Sequence, residues 1–234
     1  MVDKDPGKIR RMFGSIAPRY DCLNHLFSLS IDRYWRRVTV RKLAPLLSRD
    51  PVVLDLCTGT GDLALELSKV ALVVGCDFCH PMLVLGQRKL KKSQLDDQVY
   101  LVEGDALRLP FSSQRFDVVT IAFGLRNLKG YQQGLQEMYR VLRRRGVLAV
   151  LEFSRPQTPI FRQFYLFYLK NILSCLGEWI SGRTGAYSYL VQSVEEFPDP
   201  KELSETISQM GFGQVSCYRL TGGIVTLHVA QKPN

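Results

Sequence analysis

The chain has 234 residues, of which 46% are hydrophobic, and no low-complexity tract, so the composition predicts one globular domain and excludes a disordered chain. It has no run of about 18 apolar residues, which excludes a membrane-spanning helix. The formal net charge is +9, and residues 1–50 carry eleven Lys and Arg against five Asp. Such basic character suits an anionic surface, either lipid or nucleic acid, or serves solubility alone.

Hydrophobic periodicity divides the chain into three parts. Residues 8–49 have apolar residues at helical spacing and a basic face, which predicts helices. From residue 52, strands predicted at 52–56, 71–77, 99–103, 116–123 and 146–152 alternate with helices predicted at 62–69, 80–92 and 130–143. This alternation predicts a parallel sheet with right-handed crossovers. After residue 152 the pattern predicts an aromatic helix at 158–180, a helix at 199–210 that Gly211 ends, and a strand pair at 213–220 and 223–231.

Residues 53–62 form the most informative segment, because an apolar run is followed by a glycine-rich turn and the start of a helix. Gly59 and Gly61 allow the backbone to approach a ligand. No Lys-Ser or Lys-Thr pair follows, which excludes a phosphate-binding P-loop. Asp55 is positioned to accept a hydrogen bond from a cationic ligand group, as S-adenosylmethionine would offer.

Two further predicted strands also end in acidic residues. Asp77 follows the glycines by about 20 residues, where an acid commonly binds ribose hydroxyls. Asp105, followed by Ala106, ends the next strand and could accept from an adenine amino group. The carboxyl ends of parallel strands lie at one edge of a sheet, where ligands bind. Three acids at that edge favour S-adenosylmethionine over a dinucleotide, although residues 59–64 also match the dinucleotide pattern G-x-G-x-x-A.

The cysteines and histidines give no metal pattern. Residues 76–80 read Cys-Asp-Phe-Cys-His, the haem-attachment string, but that chemistry requires export, and residues 1–5 are polar without a signal-peptide core. No second cysteine pair occurs at zinc-ligand spacing. We therefore expect no metal, and a cytoplasmic protein with six reduced cysteines. His25 is a candidate proton acceptor or a partly buried helix residue, and His228 is expected to be structural.

Four segments resemble the family of quinone C-methyltransferases that act on demethylmenaquinone and on ubiquinone precursors. They lie at residues 13–24, 55–62, 120–127 and 186–225, and Gly124-Leu125-Arg126-Asn127 is the most specific string. The resemblance implies an α/β, Rossmann-like class I methyltransferase fold: a seven-stranded, mostly parallel sheet with a terminal antiparallel hairpin and an N-terminal helical lid. It implies one domain, with the lid at 1–50, a cofactor-binding core at 51–154 and substrate-side helices with the hairpin at 155–234.

The same resemblance implies which residues bind S-adenosylmethionine. Thr60, Asp77, Asp105 and Ala106 are the positions it carries over to this chain. Ala122 stands where some relatives have a cofactor-contacting Ser, so a side-chain bond is lost there. Tyr20 and Asp21 of the lid are expected to close over the cofactor, and a packing role is the alternative for Tyr20.

The implied substrate is a prenylated hydroquinone. A phenol titrates near pH 10 (about the value of Tyr), so losing its proton requires a base or a stabilising cation. Arg126 is predicted to stabilise the phenolate or to polarise a water, and Asn127 to orient the ring oxygen or that water. The alternatives are that Arg126 pairs with a carboxylate and that Asn127 caps the helix near residue 130.

We favour demethylmenaquinol as the substrate, methylated to menaquinol in the last step of menaquinone biosynthesis. The alternatives are a 2-methoxy-6-polyprenyl-benzoquinol in ubiquinone biosynthesis, an RNA or another small molecule, and a non-catalytic scaffold. The aromatic segment 161–170 suits core packing, an isoprenoid groove or a bilayer surface. We expect transient contact with the inner face of the membrane and no nucleic acid partner, and a homodimer is left open.

Overall fold

The computed structural model describes residues 3–156 and 186–234. The predicted aromatic helix at 158–180 lies outside the described residues. The N-terminal region forms helices α1 (Pro6–Phe27) and α2 (Ile31–Leu43), as the helical spacing predicted. Helix α1 begins after Asp5, whose carboxylate accepts a hydrogen bond from the Lys8 backbone nitrogen at 2.9 Å, and Pro6 takes the first helical position.

The centre of the described structure is a seven-stranded sheet in the order β3-β2-β1-β4-β5-β7-β6. Strand β7 is antiparallel to β5 and to β6, and the other pairs are parallel. The predicted sheet and its terminal hairpin are therefore confirmed. The strands are β1 (Val52–Leu56), β2 (Leu72–Asp77), β3 (Val99–Glu103), β4 (Phe116–Ala122), β5 (Leu142–Phe153), β6 (Gly213–Leu220) and β7 (Val225–Gln231).

Further helices pack on both faces of the sheet, and the first three of them each connect two parallel strands. They are α3 (Asp62–Leu67), α4 (His80–Ser93), α5 (Tyr131–Val141), α6 (Ala186–Glu195) and α7 (Pro200–Gln209). One buried cluster contains Leu54 and Leu56 of β1, and a second contains Val53, because successive strand residues point to opposite faces. The long buried strands are thus fixed between two helical layers, and their carboxyl ends form a common edge.

The element boundaries agree with the sequence prediction to within a few residues, and the largest difference is in β5. This strand starts at Leu142, four residues before the predicted start, and its pairing with β4 shifts register between Phe116 and Val118. Residues 143–145 are exposed, so no apolar periodicity marked this part of the strand. The end of α7 is as predicted, because Gly211 has φ +97° just after the helix.

Candidate active site

A cavity of about 820 Å³, counted to its open mouth, lies at the carboxyl ends of β1 to β4 and beneath α1. The floor comes from the segments that follow the four strands, and Ile9, Phe13 and Tyr20 of α1 cover it. Residues of the floor include Cys57, Gly59, Asp77, Asp105, Ala106, Phe123, Gly124, Asn127 and Lys129.

The Asp77 carboxylate lines the cavity and is held in place by backbone hydrogen bonds. Asp77 is the last residue of β2, and its two carboxylate oxygens accept hydrogen bonds from the backbone nitrogens of Gly59 and Cys79, each at 2.8 Å. Burial raises its pKa, while these backbone donors oppose the rise. Gly59 has φ +57°, a conformation that suits glycine, so the loop after β1 turns back onto Asp77.

Asp105 and Ala106 line the same cavity beyond the end of β3. The Asp105 carboxylate accepts a hydrogen bond from the Leu107 backbone nitrogen at 2.9 Å, which fixes the turn. A Cβ at Gly104 would lie 2.9 Å from the Cys76 sulfur, so the backbone approaches β2 too closely for a side chain. Six of the predicted site residues thus line one cavity: Tyr20, Gly59, Asp77, Asp105, Ala106 and Asn127.

Asp55, Thr60, Gly61 and Arg126 do not line this cavity. Asp55 is 1% exposed, and its oxygens accept hydrogen bonds from the hydroxyls of Thr58 and Thr120, both at 2.6 Å. Gly61 precedes α3 with φ +84°. Direct contact of Asp55, Thr60 and Gly61 with a cofactor stays a prediction. The hydrogen bonds of Asp55 show that its side chain supports Thr58 in the loop after β1.

Asp55 gives the protein a pH dependence that can be measured. Burial raises its pKa to about 6, while the hydroxyls of Thr120 and Thr58 oppose the rise. The unfolded chain releases this proton near pH 4 (about 3.9), so the folded state holds more protons between about pH 4 and 6. The contribution of Asp55 to stability therefore falls as pH rises through this window, by about 3 kcal/mol, and is constant above it.

We predict that Asp55→Asn removes this pH-dependent loss, because a neutral amide has no carboxyl proton to release. Its oxygen can accept from one threonine hydroxyl, and its NH₂ group can donate to the other once that hydroxyl rotates. Relative to the unsubstituted protein, the variant gains up to about 3 kcal/mol in free energy of unfolding at pH 8 and little at pH 4. Chemical denaturation at the two pH values measures the difference. An equal effect of the substitution at both values would show that the carboxyl does not titrate in this window.

A charge network holds α1 against the loop after β1. The Lys89 ammonium of α4 lies 2.6 Å from a carboxylate oxygen of Asp21 and 2.6 Å from one of Asp62. The Thr60 hydroxyl donates to Asp21 at 2.5 Å and accepts from Lys89 at 3.1 Å. Thr60 therefore joins the lid helix to the loop. Sequence reasoning missed Lys89, because nothing in its local pattern separates it from the neighbouring lysines of α4.

His25 belongs to this network and not to the cavity lining. Its Nδ1 lies 2.9 Å from Asp32, and its Nε2 lies 3.9 Å from Asp62. Three potential metal ligands therefore come together here. Arg36 pairs with Asp32 and lies 3.5 Å from Asp62. Since Arg36 and Lys89 already balance these carboxylates, the cluster is an ion-pair junction between α1 and α2.

Arg126 lies in a buried ion pair. Its Nη1 is 2.6 Å from a carboxylate oxygen of Glu152 and donates to the Phe123 carbonyl at 2.6 Å. Its Nε donates to the Ser193 hydroxyl at 3.3 Å, and the guanidinium lies 5.2 Å from the Phe153 ring. The guanidinium is thus paired with a carboxylate, which was the alternative to a catalytic role. Contact with a substrate stays a prediction that would require this pair to open.

Asn127 lines the cavity beside this ion pair. Its amide donates to the Phe123 carbonyl at 3.3 Å, and its Oδ1 accepts from the Tyr189 hydroxyl at 3.1 Å. Burial raises the pKa of Tyr189 to about 12, so this hydroxyl remains a donor. The N-cap of α5 is Gly130, so the alternative that Asn127 caps this helix is wrong.

Two cations that sequence reasoning missed, Lys4 and Lys129, also line the cavity. Burial lowers the pKa of Lys4, and Glu196 opposes this effect.

Residue 124, the first of the Gly-Leu-Arg-Asn string, is glycine for a structural reason, because a Cβ there would lie 2.4 Å from the Cβ of Cys57. The loops after β1 and β4 therefore meet at a contact that only glycine permits.

The sheet order and the position of the cavity define a class I methyltransferase fold, and solved structures agree. A SAM-dependent methyltransferase from Thermotoga maritima superposes with a TM-score of 0.65 at 15% identity, covering 95% of this chain and 99% of that one. One from Aquifex aeolicus gives a TM-score of 0.64 at 17% identity, covering 90% and 97%. At these identities the likeness shows the fold alone.

The chain belongs to the ubiE/COQ5 methyltransferase family, whose model matches residues 1–232. It is 46% identical to the demethylmenaquinone methyltransferase of Thermus thermophilus, over 95% of this chain and all of the relative. It is 44% identical to the ubiquinone/menaquinone biosynthesis C-methyltransferase UbiE of Citrifermentans bemidjiense, over 96% of both. The predicted family, fold and methyltransferase class are therefore confirmed. Within residues 3–156 and 186–234, no helix has the length and apolarity needed to cross a membrane.

Proposed function

We propose that the protein is an S-adenosylmethionine-dependent C-methyltransferase that converts demethylmenaquinol to menaquinol. The observation that carries the proposal is a single cavity in which Asp77 and Asp105 lie together with Lys4, Asn127 and Lys129 beneath α1. Carboxylates suited to an adenosyl group thus share a site with cations and an amide suited to a phenolic oxygen. Membership of the ubiE/COQ5 family and the demethylmenaquinone methyltransferases among the relatives support this assignment.

The cofactor half of the cavity fits S-adenosylmethionine. The backbone nitrogens of Gly59 and Cys79 donate to different oxygens of Asp77, and a carboxylate has about four lone-pair sites, so its oxygens can also accept from ribose hydroxyls. Asp105 and Ala106 would hold the adenine, and Gly59 lets the backbone come close to the nucleoside. When bound, the cofactor supplies an electrophilic methyl group. Tyr20 on the lid would cover the site and exclude water.

The acceptor half must hold an ionised or partly ionised phenol. Lys4 and Lys129 bring positive charge to the cavity, and the Asn127 amide can contact the ring oxygen. We assign Arg126 a positioning role: its bond to the Phe123 carbonyl holds the turn that carries Asn127. An electrostatic environment of this kind lowers the cost of losing the phenolic proton.

The proposed substrate also implies where the enzyme works. Transfer of an isoprenoid tail from an apolar phase to water costs about 0.8 kcal/mol of free energy for each CH₂ group, so the quinol stays in the bilayer. We therefore propose a protein that contacts the membrane surface peripherally. A benzoquinol precursor of ubiquinone is the second candidate acceptor, because the Citrifermentans bemidjiense relative is named for both quinones.

A methyl-transfer assay with the purified full chain tests the function. We expect label from S-adenosylmethionine in menaquinol when demethylmenaquinol is supplied under reducing conditions, and less label in a demethylated benzoquinol. Transfer to tRNA without transfer to either quinol would contradict the substrate class. Calorimetry that detects no cofactor binding would instead favour a non-catalytic scaffold.

A further inference from the structure

The corner between α1 and α2 presents apolar side chains and arginines to solvent. Leu26 is 47% exposed, Leu29 is 74% exposed and Tyr34 is 51% exposed. Arg33, Arg37 and Arg41 are exposed beside them. We call these residues the α1–α2 corner: Leu26, Leu29, Arg33, Tyr34, Arg37 and Arg41.

The exposed residues of α2 form one continuous face. At 3.6 residues per turn, positions 33, 34, 37 and 41 fall within about 100° of the helix circumference. Trp35, Thr39 and Leu43 lie on the opposite side and are buried. Between residues 26 and 46 the sequence has a single acidic residue, Asp32, which is buried and paired with Arg36. Arg37 lies 3.9 Å from Glu66 of α3, so the basic charge of the outward face of α2 comes mainly from Arg33 and Arg41, beside the Tyr34 ring.

This corner lies close to the cavity. Tyr20, which lines the cavity, precedes Leu26 by six residues on the same helix, about 9 Å along its axis. On the inner side of α2, the Trp35 ring lies 5.9 Å from the ring of Phe123, which also lines the cavity. One layer of aromatic side chains thus separates the exposed face of α2 from the proposed site.

We propose that the α1–α2 corner docks on an anionic lipid bilayer, with Leu26, Leu29 and Tyr34 in the interface and the arginines at the lipid phosphates. Charge complementarity favours an anionic surface, and the exposed leucines favour lipid over nucleic acid, which has no apolar layer to receive them. Resting on the proposed function, this docking brings the lid helix to the surface in which a prenylated quinol resides.

Co-sedimentation of the full chain with vesicles tests the proposal, using 30% phosphatidylglycerol in phosphatidylcholine against pure phosphatidylcholine. We expect binding to the anionic vesicles that Arg33→Gln/Arg41→Gln weakens about 30-fold. The matched control is Arg144→Gln/Arg145→Gln, which removes two exposed charges at the start of β5, away from the cavity edge. Its effect is expected to stay within about threefold.

A second pair of variants separates insertion from general charge attraction. Leu29→Ser is expected to weaken binding about 10-fold, whereas Val84→Ser, an exposed apolar position on α4, leaves it unchanged. Equal losses in the two arginine variants, or no effect of Leu29→Ser, would overturn the docking surface. Binding of the chain to RNA that depends on Arg33 and Arg41, without vesicle binding, would assign the corner to nucleic acid.

Activity readouts keep this proposal separate from the proposed function. The Arg33→Gln/Arg41→Gln variant is expected to methylate a short-tailed, water-soluble quinol at the normal rate and a vesicle-embedded long-tailed quinol about 30-fold more slowly. An unsubstituted chain that binds vesicles but methylates no quinol would refute the proposed function and leave the docking surface intact. If the variant methylated the vesicle-embedded quinol as fast as the unsubstituted chain does, the docking role alone would be refuted.

Discussion

Asp77→Asn is expected to reduce the affinity for S-adenosylmethionine about 100- to 1,000-fold. Each hydrogen bond from a ribose hydroxyl to a carboxylate contributes about 1.5–3 kcal/mol, so two such bonds contribute about 3–6 kcal/mol. The remaining amide oxygen of Asn can still accept one of them more weakly, so we expect a loss of about 3–4 kcal/mol. In the unsubstituted protein the backbone nitrogens of Gly59 and Cys79 both donate to the carboxylate. The variant places an amide NH₂ group against one of them, so that hydrogen bond is lost as well. Isothermal titration calorimetry measures the loss, and thermal unfolding establishes that the variant is folded.

Glu103→Gln is the matched control for this prediction. Glu103 ends β3 at the same edge of the sheet but pairs with Arg10 at 2.7 Å and His80 at 2.9 Å, and it does not line the cavity. Its substitution is expected to change cofactor affinity by less than about threefold. If Asp77→Asn bound the cofactor as tightly as this control, the assignment of the ribose site would be wrong.

The sequence could predict the cavity because its determinants are local. A glycine turn after one strand and an acid at the end of the next meet at the same edge of any parallel sheet, and Gly59 and Asp77 do so. Asp55 shows the limit of this argument. Strand β1 continues to Leu56, so Asp55 is one residue inside the strand, where its side chain supports Thr58 and Thr120.

Contacts between distant segments could not be predicted from local patterns. Lys89 is a surface-type residue in sequence, and only the packing of α1 on α4 places it between Asp21 and Asp62. Glu152 lies 26 residues after Arg126, and their pairing depends on β4 and β5 lying side by side. The sequence therefore predicted a functional role for Arg126 but could not show that Glu152 is its ion-pair partner.

Arg126→Met is expected to lower the free energy of unfolding by about 3–5 kcal/mol, because it leaves Glu152 buried without its cation. Activity will fall as well, but this single variant does not separate a catalytic role from a positioning role. Arg126→Met/Glu152→Gln removes both charges, and the Gln oxygen can still accept from the Phe153 backbone nitrogen, as Glu152 does at 2.8 Å. The bond that Glu152 accepts from the backbone nitrogen of residue 126 at 3.2 Å is lost, because the Gln NH₂ group cannot accept it. We expect the double variant to be only about 1–2 kcal/mol less stable than the unsubstituted protein.

The kinetics of this double variant then decide what Arg126 does. If the guanidinium contacts the phenolate, its loss should reduce kcat about 100- to 1,000-fold even in a stable protein. If the guanidinium instead holds the turn through the Phe123 carbonyl, its loss shifts Asn127 and mainly raises KM for the acceptor. In that case kcat stays within about tenfold of the normal value. We expect the second result, because the Arg126 side chain is 7% exposed and already paired with Glu152. A large loss of kcat at normal KM would show that Arg126 contacts the phenolate, and that its ion pair with Glu152 opens when the quinol binds.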